Sequence, residues 1–301
     1  MLTVAVTGAT GAQGGATARA LLAAGPHAGI HVRALTRDPA APAARALLAL
    51  GAELRRADFD DRASLDDALA GADALFAVTT PFGTDTATET RQGAALVDAA
   101  AAAGVGHTVF TSAAHADRDT GVPHYDSKHL IERHLRATAA ASGMAWTVIA
   151  PAAFMDNYTA GWTLEALRDG TFAWPMAADV PLTLIPADDI GAFAALTLRR
   201  REEFAGRRID IASDELTPDA IARALAAASG RPVAHHEVPL HVVRRHSADL
   251  AAMFTYFADH GLDVDVAGLR HSYPEVGWQR FGEWAARQDW SALMSDETVP
   301  S

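Results

Sequence analysis

The sequence predicts an α/β protein: a doubly wound parallel sheet with a smaller, interleaved C-terminal α+β lobe. Three observations lead there. From Leu2 to about Ala150, short aliphatic or β-branched runs alternate with longer alanine-rich segments, the pattern of a parallel sheet covered on both faces. The first run leads straight into a glycine-rich turn between Gly8 and Gly14. Beyond Pro151 the alternation fades and aromatic residues accumulate.

In order, the strand segments are Thr3 to Val6, His31 to Thr36, Glu53 to Ala57, Ala74 to Val78, Thr108 to Thr111 and Trp146 to Ile149. Six strands with five helices between them make a doubly wound sheet. Ser64 before Leu65-Asp66-Asp67 reads as a helix N-cap, and Gly25, Gly51, Gly71, Gly104 and Gly143 read as helix stops. Their recurrence follows the β-α unit and is not a sequence repeat.

After Pro151, Phe154 to Arg168 reads as a helix, the stretch near Trp174-Pro175 as extended, and Leu182 to Ile185 as a strand. A helix over Asp189 to Leu198, capped by Asp188 or Asp189, precedes a strand at Arg208 to Ile211 that is expected to return to the sheet. The lobes are therefore read as interleaved, with 1–152 and about 186–212 binding the dinucleotide, and about 153–185 and 213–301 facing substrate or partner. A capped helix over Pro218 to Ala228, a strand over Pro232 to Val238, and helices carrying Met253, Phe254, Tyr256, Phe257, Trp278, Phe281 and Trp284 complete the second lobe.

With 301 residues, 50% hydrophobic and 21% charged, the composition is globular. A formal charge of -12, with no basic run longer than Arg199 to Arg201, argues against direct nucleic-acid binding. Cysteine is absent, which excludes disulfides, thiolate nucleophiles and zinc-cysteine sites. The histidines form no His-Glu-x-x-His or carboxylate-backed set, so no metal site is expected. Leu2 to Val6 runs directly into the glycine turn without a basic region or cleavable signal, and no window holds about 18 consecutive apolar residues. A cytoplasmic protein that does not span a membrane is expected.

The segment Val4-Ala-Val-Thr-Gly8-Ala9-Thr10-Gly11-Ala12-Gln13-Gly14-Gly15 follows a strand and opens a helix, the context of a dinucleotide-binding Rossmann turn. Gly8 permits the tight turn, Gly11 lets the backbone approach a pyrophosphate, and Gly14 lets the helix pack on the strand. Thr10, Ala12 and Gln13 complete the loop at the helix N-terminus, whose free N–H groups attract the anion. The G-x-x-G-x-x-G spacing points to short-chain dehydrogenase relatives. At the end of the second strand, where an NAD protein carries a carboxylate, stands Thr36-Arg37-Asp38. Arg37 suits a 2′-phosphate, so NADP(H) is the expected cofactor; Asp38 argues for NAD(H) if its carboxylate turns inward. Asp58 and Phe59 are placed to meet adenine, with an ordinary solvated turn as the alternative. Thr79 and Thr80 are placed to pass the nicotinamide ribose.

Short-chain dehydrogenases pair a serine after strand five with a Tyr-x-x-x-Lys helix. Ser112 and Lys128 match, but His124 occupies the tyrosine position and Tyr125 sits three residues before the lysine. Both are helical neighbours of Lys128, so either could serve as the acid.

At this point the chain resembles the NmrA-like group of atypical short-chain dehydrogenases, especially those related to NADPH-sensing redox regulators, over nearly its whole length. The motifs are Gly8-Ala-Thr-Gly-Ala-Gln-Gly-Gly15, Val32-Arg-Ala-Leu-Thr-Arg-Asp38, Val122-Pro-His-Tyr-Asp-Ser-Lys128, Pro151-Ala-Ala-Phe-Met-Asp-Asn157 and the Met253-Phe run leading to Trp284. In that group a His-Phe-Asp-x-Lys segment replaces the tyrosine motif; here Tyr125 stands for the phenylalanine. The resemblance implies that Phe154 and Asn157 shape the nicotinamide pocket beside Pro151, although Phe154 reads equally well as core. Phe82 and His115 are further pocket candidates, a solvated loop being the alternative for His115. Two functions follow: an NADPH-dependent reductase of a small carbonyl, quinone, imine or activated alkene, or a non-catalytic NADP(H) sensor read by a protein partner. Either could be oligomeric.

Overall fold

The computed structural model describes residues 1–25 and 29–295. The chain divides into two compact units, Met1–Pro151 with Ala187–Ile211, and Ala152–Pro186 with Ala212–Ser301. The final six residues of the C-terminal lobe read from the sequence lie outside the described residues.

The first unit begins as β1 (Leu2–Val6), α1 (Ala12–Ala23), β2 (Ile30–Thr36), α2 (Pro42–Ala49), β3 (Glu53–Arg56), α3 (Arg62–Leu69), β4 (Ala74–Ala77), α4 (Thr86–Ala102), β5 (His107–Thr111), α5 (Pro123–Ser142) and β6 (Ala145–Pro151). The chain passes through the second unit as β7 (Ala153–Phe154), α6 (Gly161–Arg168), β8 (Thr171–Trp174) and β9 (Leu182–Ile185). It then returns as α7 (Ala187–Arg199), α8 (Arg201–Phe204) and β10 (Arg207–Ile211). The seven strands of the first unit form one parallel sheet in the order β10-β6-β5-β4-β1-β2-β3. Every residue of β4 and β5 is buried, as expected for central strands covered on both faces. The strand order reverses between β1 and β4, which opens a crevice at their carboxyl ends. This is the Rossmann fold.

The second unit adds β11 (Asp214–Leu216), α9 (Pro218–Ser229), β12 (Ala234–Glu237) and the helices that follow. Its strands form two small sheets, β11-β9-β7 and β12-β8. Its core is aromatic: the ring of Tyr158 meets those of Phe172, Trp174, Phe281 and Trp284 at centroid distances of 5.2 to 6.4 Å.

Local expectations fail at four places. Trp278, read as helical, lies in no helix, between a 3-10 turn ending at Val276 and a helix starting at Phe281. Phe154 to Arg168 is not one helix: Ala160 is extended and Gly161 has φ +57°, so a short strand and a 3-10 turn (Met155–Thr159) precede α6. Ser64 is not the cap of α3; Asp61 is, its carboxylate accepting from the Ser64 N–H at 3.2 Å. Helix α7 starts at Ala187, directly after Pro186, so Asp188 and Asp189 lie in its first turn and not at its cap, where their charge suits the helix dipole.

Candidate cofactor and reaction site

The loop between β1 and α1 is shaped by its glycines. Gly8 has φ +56°, a conformation that side chains with a Cβ rarely adopt. A Cβ on Gly14 would stand 2.3 Å from the carbonyl oxygens of Thr7 and Gly8, so only glycine lets the helix start lie on the strand end. Gly11 is the N-cap of α1, no side chain caps that end, and no acidic residue lies in the first turn. The first N–H groups have no intrahelical acceptor, and with the helix dipole they form a seat for an anion. Thr10, Gly11 and Ala12 are exposed there. Gln13 is held from below, its Oε1 accepting from Thr111 Oγ1 at 2.6 Å.

Arg37, just beyond β2, is exposed and makes no hydrogen bond or ion pair among the described residues. The Asp38 carboxylate is folded onto its own turn, where Oδ1 accepts from the Ala40 N–H at 2.8 Å. Asp58 does the same at the end of β3, with Oδ1 accepting from Asp60 N–H at 3.0 Å. Phe59 packs one side against the cluster that contains Leu65, Leu69 and Leu96. The turn at Asp58 therefore braces itself through one carboxylate oxygen, and the outer edge of Phe59 stays outside the cluster.

At the ends of β4 and β5 the polar groups turn inward. Thr79 is buried, and its hydroxyl donates to Glu89 Oε1 at 2.9 Å; Thr80 is exposed, its hydroxyl accepting from Phe82 N–H at 3.2 Å. The Lys128 ammonium donates to the Thr79 carbonyl at 2.5 Å, meets Glu89 Oε1 at 2.8 Å and reaches Thr79 Oγ1 at 3.2 Å. Burial pulls the Lys128 pKa down, and the Glu89 carboxylate opposes that pull. Ser112, after β5, donates to Glu132 Oε1 at 2.6 Å. Glu132 also receives Arg136 at 2.9 Å and Arg208 at 3.2 Å. The Ser112 proton is thus engaged in an internal network, and a role for it as donor requires that bond to break.

His124 and Tyr125 are both buried on the Lys128 face of α5. Their rings meet edge to face at 4.8 Å, and the His124 ring lies 5.8 Å from that of Phe82, which is 64% exposed. His115 is buried, not solvated, with φ +65°, a strained conformation for a residue other than glycine. Pro151 ends β6, and its carbonyl accepts from Ala114 N–H at 2.9 Å. Gly8, Arg37, Thr79, Ser112 and Pro151 therefore all stand at the carboxyl edge of one sheet. Phe154 and Asn157 belong to the second unit: Phe154 pairs with Ile185 in the β7-β9 ladder, and Asn157 is exposed in the 3-10 turn.

Two residues central to this arrangement, Glu89 and Glu132, are absent from the sequence reading. Both are fully buried. Glu89 shares the buried face of α4 with Gly93, Leu96, Val97 and Ala100, and a carboxylate in phase with an apolar stripe is the clue that marks it. Among the described residues no group of His, Asp or Glu is arranged to hold a metal ion, and no helix is long and apolar enough to cross a membrane.

A Rossmann sheet, a glycine turn of the G-x-x-G-x-x-G type and a lysine-bearing helix without the Tyr-x-x-x-Lys motif define an atypical short-chain dehydrogenase. The chain belongs to the NmrA-like family, whose model matches residues 2–285. It is 34% identical over 247 residues to the (4-alkanoyl-5-oxo-2,5-dihydrofuran-3-yl)methyl phosphate reductase of Streptomyces griseus, covering 80% of this chain and 79% of that one. It is 32% identical over 238 residues to the NAD(P)H azoreductase of Xenophilus azovorans, covering 79% and 77%. The Escherichia coli NADPH-dependent quinone oxidoreductase complexed with NADPH is a structural neighbour at a TM-score of 0.76 and 26% identity, over 94% of this chain and 98% of that one.

Proposed function

We propose that the chain is an NADPH-dependent oxidoreductase that transfers hydride to a small carbonyl, quinone, imine or activated alkene. The observation that carries this reading is a set of groups left open at one sheet edge: the uncapped start of α1 behind Gly8 and Gly11, and an unpaired Arg37 beyond β2. These residues fit the dinucleotide, because Gly14 closes the cradle to any Cβ and Asp38 is turned onto its own backbone. NADPH, when bound, supplies the hydride. The first turn of α1 would hold the pyrophosphate, Arg37 the 2′-phosphate, and Lys128 the ribose by lending one of its hydrogen bonds. His124 is the proton donor we favour, because its ring lies between Tyr125 and the exposed Phe82. The reductases among its relatives support the same class of reaction.

One observation favours a second reading. Ser112 and Lys128 are both engaged with buried carboxylates, an arrangement that also suits a non-catalytic NADP(H) sensor read by a protein partner. NADPH oxidation measured against quinones, enones, ketones, imines and azo compounds separates the two. The enzyme reading expects turnover with at least one class and its near-abolition in Lys128→Ala. Tight NADPH binding with no turnover against any class would leave the sensor.

A further inference from the structure

Lys128 is the single lysine among the 25 Lys and Arg residues of the chain, and it is buried. Every other cationic position of this kind is arginine. An arginine stays charged under almost all conditions, whereas a buried lysine loses its proton readily unless a counter-charge holds it.

That counter-charge comes from α4. The Glu89 carboxylate has no exposure to solvent and receives three groups: Lys128 Nζ at 2.8 Å and Thr79 Oγ1 at 2.9 Å on Oε1, and Ser127 Oγ at 2.5 Å on Oε2. Its register against α5 is set one turn further on, where Gly93 leaves room for Ile131; a Cβ on Gly93 would lie 2.5 Å from Ile131 Cδ1. The other groups about the ammonium are a carbonyl, two aromatic rings and an imidazole. The Thr79 carbonyl faces it from the end of β4, the Phe110 ring lies 5.6 Å away on β5, and His124 and Tyr125 occupy the same face of its own helix. Glu132, one turn along α5, is taken by Ser112, Arg136 and Arg208.

We propose that Glu89 is a positioning residue: its buried carboxylate keeps the single lysine in its charged form and aims the ammonium along Thr79 toward the carboxyl edge of the sheet. Thr79 and Ser127 hold the carboxylate itself. The inference rests on the oxidoreductase reading for its consequence in catalysis, but the pairing is testable without it.

One lysine means one lysine side-chain resonance in protein labelled with 13C at lysine Cε, so the titration of Lys128 can be followed directly in the cofactor-free chain. In Glu89→Gln the midpoint is expected to fall by at least one pH unit, a tenfold loss of proton affinity, and Glu89→Asp is expected to recover part of it. The alkaline limb of the NADPH oxidation profile should move with it. An unmoved lysine midpoint overturns the inference whatever the assay shows. A shifted midpoint in Glu89→Gln, together with a wild type that oxidises no NADPH, supports the pairing and overturns the oxidoreductase reading. Should Glu89→Gln fail to fold, the double variant Glu89→Gln/Lys128→Met, which removes both charges, is expected to unfold at a higher midpoint than Lys128→Met, which leaves the buried Glu89 carboxylate without its counter-charge. A double variant no more stable than Lys128→Met overturns the pairing.

Discussion

Gly191 of α7 lies against the backbone of α1 so closely that a Cβ there would stand 2.4 Å from the carbonyl carbon of Ala16. The obstacle is main chain in a helix and cannot rotate aside, so the two helices would have to move apart. Because Ala16 lies about one turn from the anion seat at the start of α1, that movement reaches the cofactor. Gly191→Ala is expected to lower stability by about 1 to 3 kcal/mol, the usual range for overpacking a filled interior, despite alanine's better helix propensity. Urea unfolding measures it, and an unchanged or raised midpoint would show that the helix pair can separate without cost.

Arg37 is exposed and unpaired, and Asp38 is occupied by Ala40 N–H. Substituting Arg37 should therefore remove a ligand for the 2′-phosphate and disturb nothing else. Arg37→Ala is expected to weaken NADPH binding by about 1 to 3 kcal/mol, the range for a charge-assisted hydrogen bond, while NADH binding and the unfolding midpoint stay unchanged. Calorimetric titration with both cofactors decides; equal losses for the two would assign Arg37 some other role.

The strands and the glycine turn were legible because each obeys a local rule. Central strand β4 is apolar throughout and β5 is β-branched or aromatic at every position, since helices cover both faces, and the turn needs glycines at fixed offsets whatever surrounds it. Arg208 to Ile211 was legible as a strand, but its place beside β6 belongs to the topology. Glu89 and Glu132 escaped because acidic residues in helices that also carry Asp98 and Asp126 have the composition of a solvated face. Their burial depends on partners 38 and 76 residues away, Ser127 and Arg208. The pairing of Thr79 and Ser112 with those carboxylates was hidden for the same reason. The break before α6 was missed because the reading of Phe154 to Arg168 as one helix passed over Gly161, whose positive φ follows the extended Ala160 at the break.

His107 begins β5 and is buried. Thr147 Oγ1 donates to the Phe204 carbonyl at 2.9 Å, so it accepts from His107 Nε2–H at 2.8 Å. That leaves Nδ1 as a buried acceptor, and a second proton there would create a charge beneath Arg201. Burial first, and Arg201 second, lower the His107 pKa from 6.5 to about 4. In the unfolded chain the imidazole binds its proton near pH 6.5, so folding becomes less favourable as pH falls from about 6.5 to about 4 and levels off below. The loss is on the order of 3 kcal/mol, at about 1.4 kcal/mol per pH unit. His107→Gln keeps a donor for Thr147 and does not titrate. The stability difference between wild type and variant should therefore shift toward the variant as pH falls through this window, and a difference that stays constant from pH 7 to 4.5 would rule out His107 as the source.

Tyr158 is fully buried in the second unit, and its hydroxyl has no hydrogen-bond partner among the described residues. Burial alone pushes its pKa above the usual phenol value. The ring is held by Phe172, Trp174, Phe281 and Trp284 edges and faces, contacts that a phenylalanine would keep. Removing a buried hydroxyl usually costs stability because a hydrogen bond is lost with it; here the folded protein gives up no bond, while the unfolded chain loses one to water. Tyr158→Phe is therefore expected to be neutral or to stabilise by up to about 1 kcal/mol, the scale of an unmet hydroxyl. Thermal and urea unfolding of the variant test this. A destabilisation greater than about 1 kcal/mol would mean that the hydroxyl is satisfied in solution, by a buried water held in the aromatic cluster.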